Sequence, residues 1–328
     1  MSKERFYVGV DVGCSEVWVM AGHGKTRKFS NDHQGAKQLY RWAKEKSGEQ
    51  LLHFCMEATG VYSQGLAVRL LGQGGCEVSI VNPAQIASFA KAQMRRSKTD
   101  QLDAEVIWDY AQSQQPHSWQ PERQSVQHLS ALVTQADALR KTLRSWNNRC
   151  HAHDYHPDLP QTVRATTKKV EQVLERQLEK VEEEISRLCQ ADEELNRDVE
   201  LLCSIPGVAE LTATRLLAYG KSALTQRSPK QLTAHAGLAP RHRQSGTSIN
   251  GRSRLSKQGD ARLRCLLYMP TIAAITFNPI IRHHYQRHLN NHKPKMVAMM
   301  ACMKKLLLIA QAILISQKPF NPKLIPLT

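Results

Sequence analysis

The stretch Phe6-Tyr-Val-Gly-Val-Asp-Val12 decides the fold of the first part of the chain. It is a short, almost continuous apolar run that carries one acid near its end, a pattern typical of a buried strand. Residues 17–21 are also apolar and are predicted to form a second strand, and residues 26–30 are predicted to form a third.

Helices and strands then alternate along the chain. The pattern predicts strands at residues 51–56 and 78–81, the first closed by Glu57 and the second stopped by Asn82 and Pro83. It predicts helices at residues 33–47, 62–71 and 100–113. Three strands followed by this alternation predict an α/β domain with a mixed sheet over residues 1–120.

Four acids fall at the ends of these elements. Asp11 ends the first strand, Glu57 ends the fourth, and Asp100 and Asp103 share one face at the start of a helix. Four converging carboxylates would repel one another unless a divalent cation shares them, and such oxygen ligands suit Mg²⁺ or Mn²⁺. Two such metals can clamp the attacking and leaving oxygens of a phosphodiester. The strand order and the acids match a ribonuclease H-like fold.

Other interpretations of these residues stay open. Asp11 could cap a turn, and Asp100 with Asp103 could simply favour the start of a helix. Residues 8–13 also resemble the first phosphate loop of the actin and sugar-kinase ATPases, which share the opening of three strands. The ATPase interpretation lacks a second loop of that type and fits the basic end of the chain poorly.

After Pro121 the strand signals disappear, and residues 121–200 are predicted to form a helical, coiled-coil domain. Apolar residues recur there at steps of three, four or seven, with Asp192 in the one missing position and many glutamates at the flanks. The seam consists of Leu174, Leu178, Val181, Ile185, Leu188, Leu195, Val199 and Leu202. It predicts a dimerisation helix, the alternative being one long helix packed inside its own subunit.

Charge is concentrated at the end of the chain. The 328 residues carry a net charge of +16, yet residues 201–328 alone hold 19 basic and 2 acidic residues. Such an excess indicates a polyanionic partner, most simply the phosphate backbone of DNA. The hydrophobic share of 41% excludes a wholly disordered chain.

A polar, arginine-rich loop is predicted over residues 240–257. A serine beside glycine among arginines suits a nucleophile that attacks phosphate, since the arginines can hold the phosphate and stabilise developing charge. Chemistry alone does not rank Ser245, Thr247, Ser248 and Ser253, and the loop could equally be a plain phosphate contact. The expected phosphate contacts are Arg241, Arg243, Arg252, Arg254 and Lys257.

The rest of the last third is predicted to be helical, with helices at residues 229–236, 258–277 and 294–316. Ser204-Ile-Pro-Gly207 resembles the turn of a helix-hairpin-helix, whose backbone N–H groups contact a DNA phosphate; an ordinary turn between helices is the alternative. Four histidines at positions 283, 284, 288 and 292 are expected to form a polar helix face or backbone contacts.

No membrane partner is expected, because Lys304 and Lys305 interrupt the most apolar stretch, residues 296–315. The eight cysteines are scattered without a CxxC pair, which predicts reduced thiols in a cytoplasmic protein.

At this point the motifs resemble one family in order and over nearly the whole chain: the DEDD-type insertion-sequence transposases of the IS one-ten family, which include the Piv-type DNA invertases. Met56-Glu-Ala-Thr-Gly60 together with Lys98-Thr-Asp100 and Asp103-Ala104 is hard to obtain by chance. The other matching stretches are Tyr7-Val-Gly-Val-Asp11, Val81-Asn-Pro83, Ser204-Ile-Pro-Gly207, Ala236-Gly-Leu238, Pro240-Arg241, Gln244-Ser-Gly246 and Tyr268-Met-Pro270.

The resemblance implies a RuvC-like first domain, a coiled-coil domain and, over residues 201–328, a transposase domain. It implies that Asp11, Glu57, Asp100 and Asp103 bind Mg²⁺ and that Ser245 is the nucleophile, attacking DNA to form a covalent 5′-phosphoserine link. It further implies a homodimer that pairs into a tetramer, donor and target DNA as partners, a non-coding bridge RNA as guide, and a place at the bacterial nucleoid. A RuvC-like hydrolytic nuclease and a non-catalytic nucleic-acid-binding protein remain as alternatives.

Overall fold

The computed structural model describes residues 4–22, 24–94, 99–156, 158–245, 249–256 and 258–323, with the backbone alone for 242–245 and 249–254. The chain divides into two compact units, residues 1–121 and 122–328. Each unit has its own hydrophobic core.

The first unit is built on a five-stranded sheet in the order β3-β2-β1-β4-β5. The strands are β1 (Arg5–Val12), β2 (Glu16–Ala21), β3 (Arg27–Ser30), β4 (Leu51–Glu57) and β5 (Cys76–Val81). β2 runs antiparallel to β1 and β3, whereas β4 and β5 run parallel to β1 and to each other. The predicted mixed α/β sheet is therefore confirmed.

Four helices accompany this sheet: α1 (His33–Ser47), α2 (Val61–Leu71), α3 (Pro83–Ala92) and α4 (Asp100–Gln114). Three of them confirm predicted helices, and α3 was not predicted. Its start is signalled in the sequence, because the Asn82 side chain accepts a hydrogen bond from the N–H of Ala84 at 2.9 Å and Pro83 occupies the first helical position.

The sheet is covered on both faces. On one face Val8, Phe54 and Leu52 pack with Leu39 of α1 and Leu66 of α2. On the other face lie α3 and α4, whose apolar contacts with the sheet form a separate cluster. That cluster is made of Cys55, Val81, Ile86, Val106, Ile107 and Ala111. Burial on both faces explains why these strands are almost continuously apolar.

Where the structure describes it, the second unit is helical apart from one two-stranded hairpin. Its helices are α5 (Gln124–Asp154), α6 (Gln161–Ala191), α7 (Glu193–Cys203), α8 (Glu210–Gln226), α9 (Pro229–His235), α10 (Ala261–Leu266), α11 (Tyr268–Phe277), α12 (Pro279–Asn290) and α13 (Lys295–Ser316). The hairpin consists of β6 (Pro240–Ser245) and β7 (Ile249–Leu255). The Asp198 carboxylate, buried in this unit, lies 2.9 Å from the Lys221 ammonium.

α5 and α6 form an antiparallel helical hairpin. Arg123 before α5 pairs with Asp192 after α6 at 2.7 Å, and Arg140 pairs with Glu182 midway along. Apolar residues of the predicted seam on α6, such as Leu178, are only half-buried against α5. The hairpin therefore keeps an apolar stripe that its own chain covers only in part.

The predicted seam is not one continuous helix, and that expectation is wrong beyond residue 191. Asp192 ends α6 and caps α7, its carboxylate accepting hydrogen bonds from the N–H groups of Glu194 and Leu195 at 3.1 and 3.0 Å. Leu195, Val199 and Leu202 are then buried in the core of the second unit. Residues 122–200 and 201–328 share that core, and the division into separate domains at residue 200 stays a prediction.

Of the two long helices predicted near the end of the chain, the structure divides one and confirms the other. The predicted helix 258–277 is divided at Leu267 into α10 and α11, because Pro270 in the first turn of α11 has no N–H to continue the preceding helix. α13 confirms the predicted helix 294–316. It is the one helix in the described part of the chain that is long and apolar enough to span a membrane. Of its most apolar 18-residue stretch, 56% is buried inside the protein.

Candidate active site

Two of the predicted acids lie side by side at the carboxyl edge of the sheet. The parallel pairing of β1 with β4 ends at Val10 opposite Met56, and Asp11 and Glu57 directly follow these two residues. Both side chains are half-buried. Cβ atoms alternate along a strand, so Asp11 is on the face of Gly9 and Glu57 is on the face of Cys55. That face is the one covered by α4, because Cys55 packs with Val106 and Ile107.

Gly9 lets α4 lie directly on β1. A Cβ atom on Gly9 would be 2.4 Å from the backbone nitrogen of Trp108 and 2.5 Å from the carbonyl oxygen of Ala104. The Trp108 indole N–H also donates to the carbonyl oxygen of Tyr7 at 3.1 Å. Further along α4, Gln112 and Gln115 line one cavity with Arg5 at the start of β1, so α4 runs antiparallel to β1.

This direction brings the start of α4 towards the carboxyl edge of the sheet, where Asp11 and Glu57 lie. Asp103 immediately precedes Ala104 and is half-buried, whereas Asp100 opens the helix and is exposed. The helix begins at Thr99, whose hydroxyl accepts a hydrogen bond from the N–H of Leu102 at 3.3 Å. The backbone therefore directs all four predicted acids to one end of the first unit.

The chemistry of these donors fits a hard divalent cation, because carboxylates from two strands and one helix approach the same edge. Among the residues that the structure describes, however, no three His, Cys, Asp or Glu side chains are gathered closely enough to hold an ion. A bound cation would have to draw these carboxylates together.

An aromatic residue that the sequence did not single out lies near this edge. Tyr62, at the start of α2, is 44% exposed, and its hydroxyl is hydrogen-bonded to the thiol of Cys14 in the turn after β1. That bond raises the pKa of Tyr62. Its neighbour Val61 is 75% exposed. The two side chains present an apolar surface at the start of α2, which follows Glu57 and the end of β4 in the chain.

The predicted loop 240–257 is instead an antiparallel hairpin, so that expectation is wrong over most of its length. β6 pairs with β7 from Pro240 with Leu255 to Ser245 with Ile249, with an irregularity between Arg241 and Arg243. Ser245 thus stands at the last pair before residues 246–248, which lie outside the described residues together with Lys257.

The hairpin places like charges opposite each other. Arg241, which is exposed, pairs in register with Arg254, and directly opposed like charges destabilise a strand pair. Arg243 and Arg252 occupy further positions on the two strands, but their side chains, like those of Ser245 and Arg254, lie outside the described residues.

The base of the hairpin is held against α9. The N–H of Asp260 donates to the carbonyl oxygen of His235 at 2.6 Å, and that of Ser256 donates to Ala239 at 3.0 Å. Gly259 has a φ of +131°, and a Cβ there would be 2.2 Å from the oxygen of His235. Burial lowers the pKa of His235 and adjacent Arg227 lowers it further, so this imidazole stays neutral at the base of a basic hairpin.

The predicted Ser204–Gly207 turn does connect two helices, α7 and α8. Gly207 has a φ of +100°, and a Cβ atom would be 2.6 Å from the backbone nitrogen of Ala274 in α11. Close packing against α11 therefore explains the glycine without a ligand. Its predicted contact with DNA phosphate stays a prediction.

Two protein-family models match the chain. The DEDD model of IS110 elements, described as a transposase, matches residues 8–153, and the model described as transposase IS116/IS110/IS902 family matches residues 199–286. The first match contains the four acids and the second contains Ser245. The protein is thus a transposase by class.

Two relatives align with nearly the whole chain. The pilin gene-inverting proteins of Moraxella bovis and Moraxella lacunata are each 30% identical over 324 residues, which are 97% of this chain and 98% of the relative. The transposase for insertion sequence element IS1328 of Yersinia enterocolitica is 29% identical over 226 residues, 61% of this chain and 64% of the relative. The chain belongs to the IS110 transposase family, and it is a DNA recombinase or transposase.

Proposed function

We propose that this enzyme exchanges DNA strands through a covalent link between Ser245 and a 5′-phosphate. The observation that carries the proposal is the direction of α4 over β1, which brings Asp103 and Asp100 towards Asp11 and Glu57 at one sheet edge. The position of Ser245 on an arginine-rich hairpin supports it.

The four acids are the proposed ligands of a divalent cation, Mg²⁺ in the first instance. Carboxylate oxygens are the donors such a cation prefers. When bound, the cation would supply charge stabilisation at the phosphate and favour ionisation of a hydroxyl, which is a weak nucleophile at its ordinary pKa. The RuvC-like architecture of this unit is part of the same proposal.

The chain's own groups account for each change of bonding. The Ser245 hydroxyl gives up its proton as its oxygen forms a bond to phosphorus, the bond from phosphorus to the 3′ oxygen breaks, and the leaving 3′ oxygen takes up a proton, so the step consumes no net proton. Arg241, Arg243, Arg252 and Arg254 are proposed to hold the phosphate and stabilise its extra charge. In the second step a 3′-hydroxyl attacks the phosphoserine of another strand, which returns the serine.

A trapped protein–DNA adduct tests this reaction. Wild-type protein, Ser245→Ala and Asp11→Asn are each incubated with a labelled nicked duplex and Mg²⁺, denatured and run on a gel. Ser253→Ala, in the same hairpin, is the matched control. We expect an adduct with the wild type and with Ser253→Ala, and none with Ser245→Ala.

Two outcomes would overturn the proposal. If Ser245→Ala still cleaves and only Asp11→Asn stops cleavage, water is the nucleophile and the enzyme is a hydrolytic nuclease at the acids. If the adduct forms on Ser253 or another residue, the wrong nucleophile has been assigned.

We further propose that the enzyme acts as a homodimer that pairs into a tetramer. The half-buried apolar stripe on α6, with Leu174 and Leu178 among its members, supports a helical contact between subunits. Light scattering of the wild type and of Leu174→Glu/Leu178→Glu tests it: the variant is expected to lose the dimer, and an unchanged mass would overturn this contact.

A structured bridge RNA is proposed as a further partner, supported by the strongly basic last third of the chain. Sequencing the nucleic acid that copurifies with the protein tests this. A single RNA transcribed from beside the gene is expected, and heterogeneous RNA or none would overturn it.

A further inference from the structure

The end of the chain holds no carboxylate side chain at all. The last acid is Asp260, and residues 261–328 contain ten Lys or Arg and four His but no Asp or Glu. A solvated surface ordinarily mixes both signs of charge. This segment forms α10 to α13, and apart from Arg262, which pairs with Asp260 at 3.3 Å, its positive charges have no acidic neighbour along the chain.

Six of these basic groups meet where α12 packs on α13. They form what we call the α12 basic cluster: His283, His284, Arg287, His288, Lys293 and Lys305. Cys302 of α13 lies against the carbonyl oxygen of Ile281, at 3.8 Å, and Lys293 N–H donates to the carbonyl oxygen of His288 at 3.1 Å. These contacts pack α12 antiparallel to α13, with Lys293 in the connecting turn and Lys305 three residues beyond Cys302.

The histidines of the cluster touch each other rather than an acid. The Nε2 atoms of His284 and His288 are 3.2 Å apart, and an Arg287 nitrogen lies 3.4 Å from His284 Nδ1. His288 Nδ1 is buried without a hydrogen-bond partner. No ion pair joins Arg287, Lys293 or Lys305 to a carboxylate in the described part of the chain.

The electrostatic surroundings follow from this arrangement. Burial lowers the pKa of His284 to about 4, and His288, Arg287, Lys305 and His283 act in the same direction. Burial, Lys293 and Arg287 lower the pKa of His288. Among the described residues, the charged groups with the largest effects on His284 and His288 are all basic. A site with this surplus gains most from an anion that spreads over several cations.

We infer that the α12 basic cluster is a second binding site for the phosphodiester backbone of nucleic acid, separate from the hairpin that carries Ser245. The inference rests on the proposed function only in taking DNA or RNA as the partner. The site reads no sequence, because flexible lysine and arginine side chains contact phosphates through charge. The cluster thus binds a part of the phosphodiester backbone that lies away from the bond being cut.

The test compares two double variants with the same change of charge. Arg287→Gln/Lys293→Gln removes two charges from the cluster, and Lys318→Gln/Lys323→Gln removes two exposed charges from the chain after α13. Binding of each full-length protein to a labelled 30-base-pair duplex, and to an RNA hairpin, is measured in EDTA between 50 and 300 mM salt. Melting temperature checks that each variant is folded.

Removing two phosphate contacts is expected to reduce the slope of log affinity against log salt by about 1.8 for duplex DNA. The control variant should shift it by less than about 0.5. If the slope falls with the DNA probe alone or with the RNA probe alone, that nucleic acid supplies the phosphates bound at the cluster. Equal slopes for the two variants on both probes would overturn the inference. If wild-type protein forms the Ser245 adduct but the two variants have equal slopes, only the α12 site is overturned. If the cluster variant changes the slope but wild-type protein forms no adduct, only the proposed reaction is overturned.

A second readout follows the histidines. Phosphate beside His284 and His288 favours their charged forms, so binding should take up protons and tighten as pH falls from 7.5 to 6. Calorimetry in two buffers of different ionisation enthalpy measures this uptake, and His284→Gln/His288→Gln should reduce it. An uptake that the variant leaves unchanged would place the phosphates elsewhere.

Discussion

Replacement of Gly9 by alanine tests whether the acids are positioned by the close approach of α4 to β1. The new Cβ would be 2.4 Å from Trp108 N and 2.5 Å from the oxygen of Ala104, whereas ordinary contacts begin near 3.4 Å. Both atoms belong to the backbone, so rotation of a side chain does not relieve the overlap. α4 must therefore retreat by about 1 Å over two turns.

This displacement has two separable consequences. Overpacking of this kind typically costs about 1–3 kcal/mol, and the upper end is expected because the overlap is with backbone at two successive turns. Asp103 adjoins Ala104 and moves with it. A misplacement of about 1 Å at a catalytic group can cost roughly 100-fold in rate. Cleavage is therefore expected to fall much further than the folded fraction does.

The assay uses Gly24→Ala as the matched control, because a Cβ at Gly24 has no atom within 4 Å. Urea unfolding is followed by tryptophan fluorescence, which reports mainly on the first unit since Trp18, Trp42, Trp108 and Trp119 lie there. Adduct formation is measured under conditions where both variants are folded. If Gly9→Ala matches Gly24→Ala within about 0.5 kcal/mol and cleaves DNA normally, the proposed positioning is refuted.

Two further predictions concern burial. His53 is fully buried, and burial lowers its pKa from 6.5 to about 4 against the opposing effect of Glu77, so its contribution to stability is complete above pH 6.5 and is lost as pH falls towards 4. The loss is about 3 kcal/mol, and fluorescence-detected unfolding at pH 7 and 4.5 should show it in the wild type but not in His53→Gln. Gly207→Ala should lower the melting temperature by several degrees through strain against Ala274, whereas Gly220→Ala, whose nearest neighbour is Leu263 at 3.8 Å, should not. A folded, fully stable Gly207→Ala that has lost DNA binding would instead favour the phosphate-contact interpretation of the turn.

The sheet and its acids were predictable because each depends on neighbouring residues. Apolar runs such as residues 6–12 and 51–56 identify buried strands, and an acid that directly follows such a run falls at a sheet edge. The close contact between Gly9 and α4 was not predictable. A glycine inside a strand indicates that another group packs closely there, but it does not identify that group. α3 was missed although Asn82 and Pro83 signal a helix start.

The two wrong predictions, the seam beyond residue 191 and the loop at 240–257, share one physical origin. A local sequence pattern does not show which tertiary contacts its residues make. The seam keeps its heptad spacing across Asp192, yet this carboxylate caps α7, and Leu195 enters the core of the second unit. In residues 240–257, charge and glycine content suggested a loop. The segment instead forms two paired strands, with Arg241 opposite Arg254. Their base is anchored by the bond from the N–H of Asp260 to the carbonyl oxygen of His235.

The uneven charge also separates two kinds of surface within the second unit. Residues 121–200 hold 15 acids and 12 bases, with Glu183 and Glu184 exposed on α6, so the helical hairpin repels a polyanion. Residues 201–328 carry nearly all of the positive excess. On the proposed function, we expect a nucleic acid to be drawn to the β6–β7 hairpin and to α12, and the apolar stripe of α6 to stay free for a protein contact. Mutating Glu183 and Glu184 to lysine should blur this separation by adding nonspecific DNA binding that falls steeply with salt. Binding that is unchanged at 50 mM salt would mean that the acids of α6 do not direct where DNA lies.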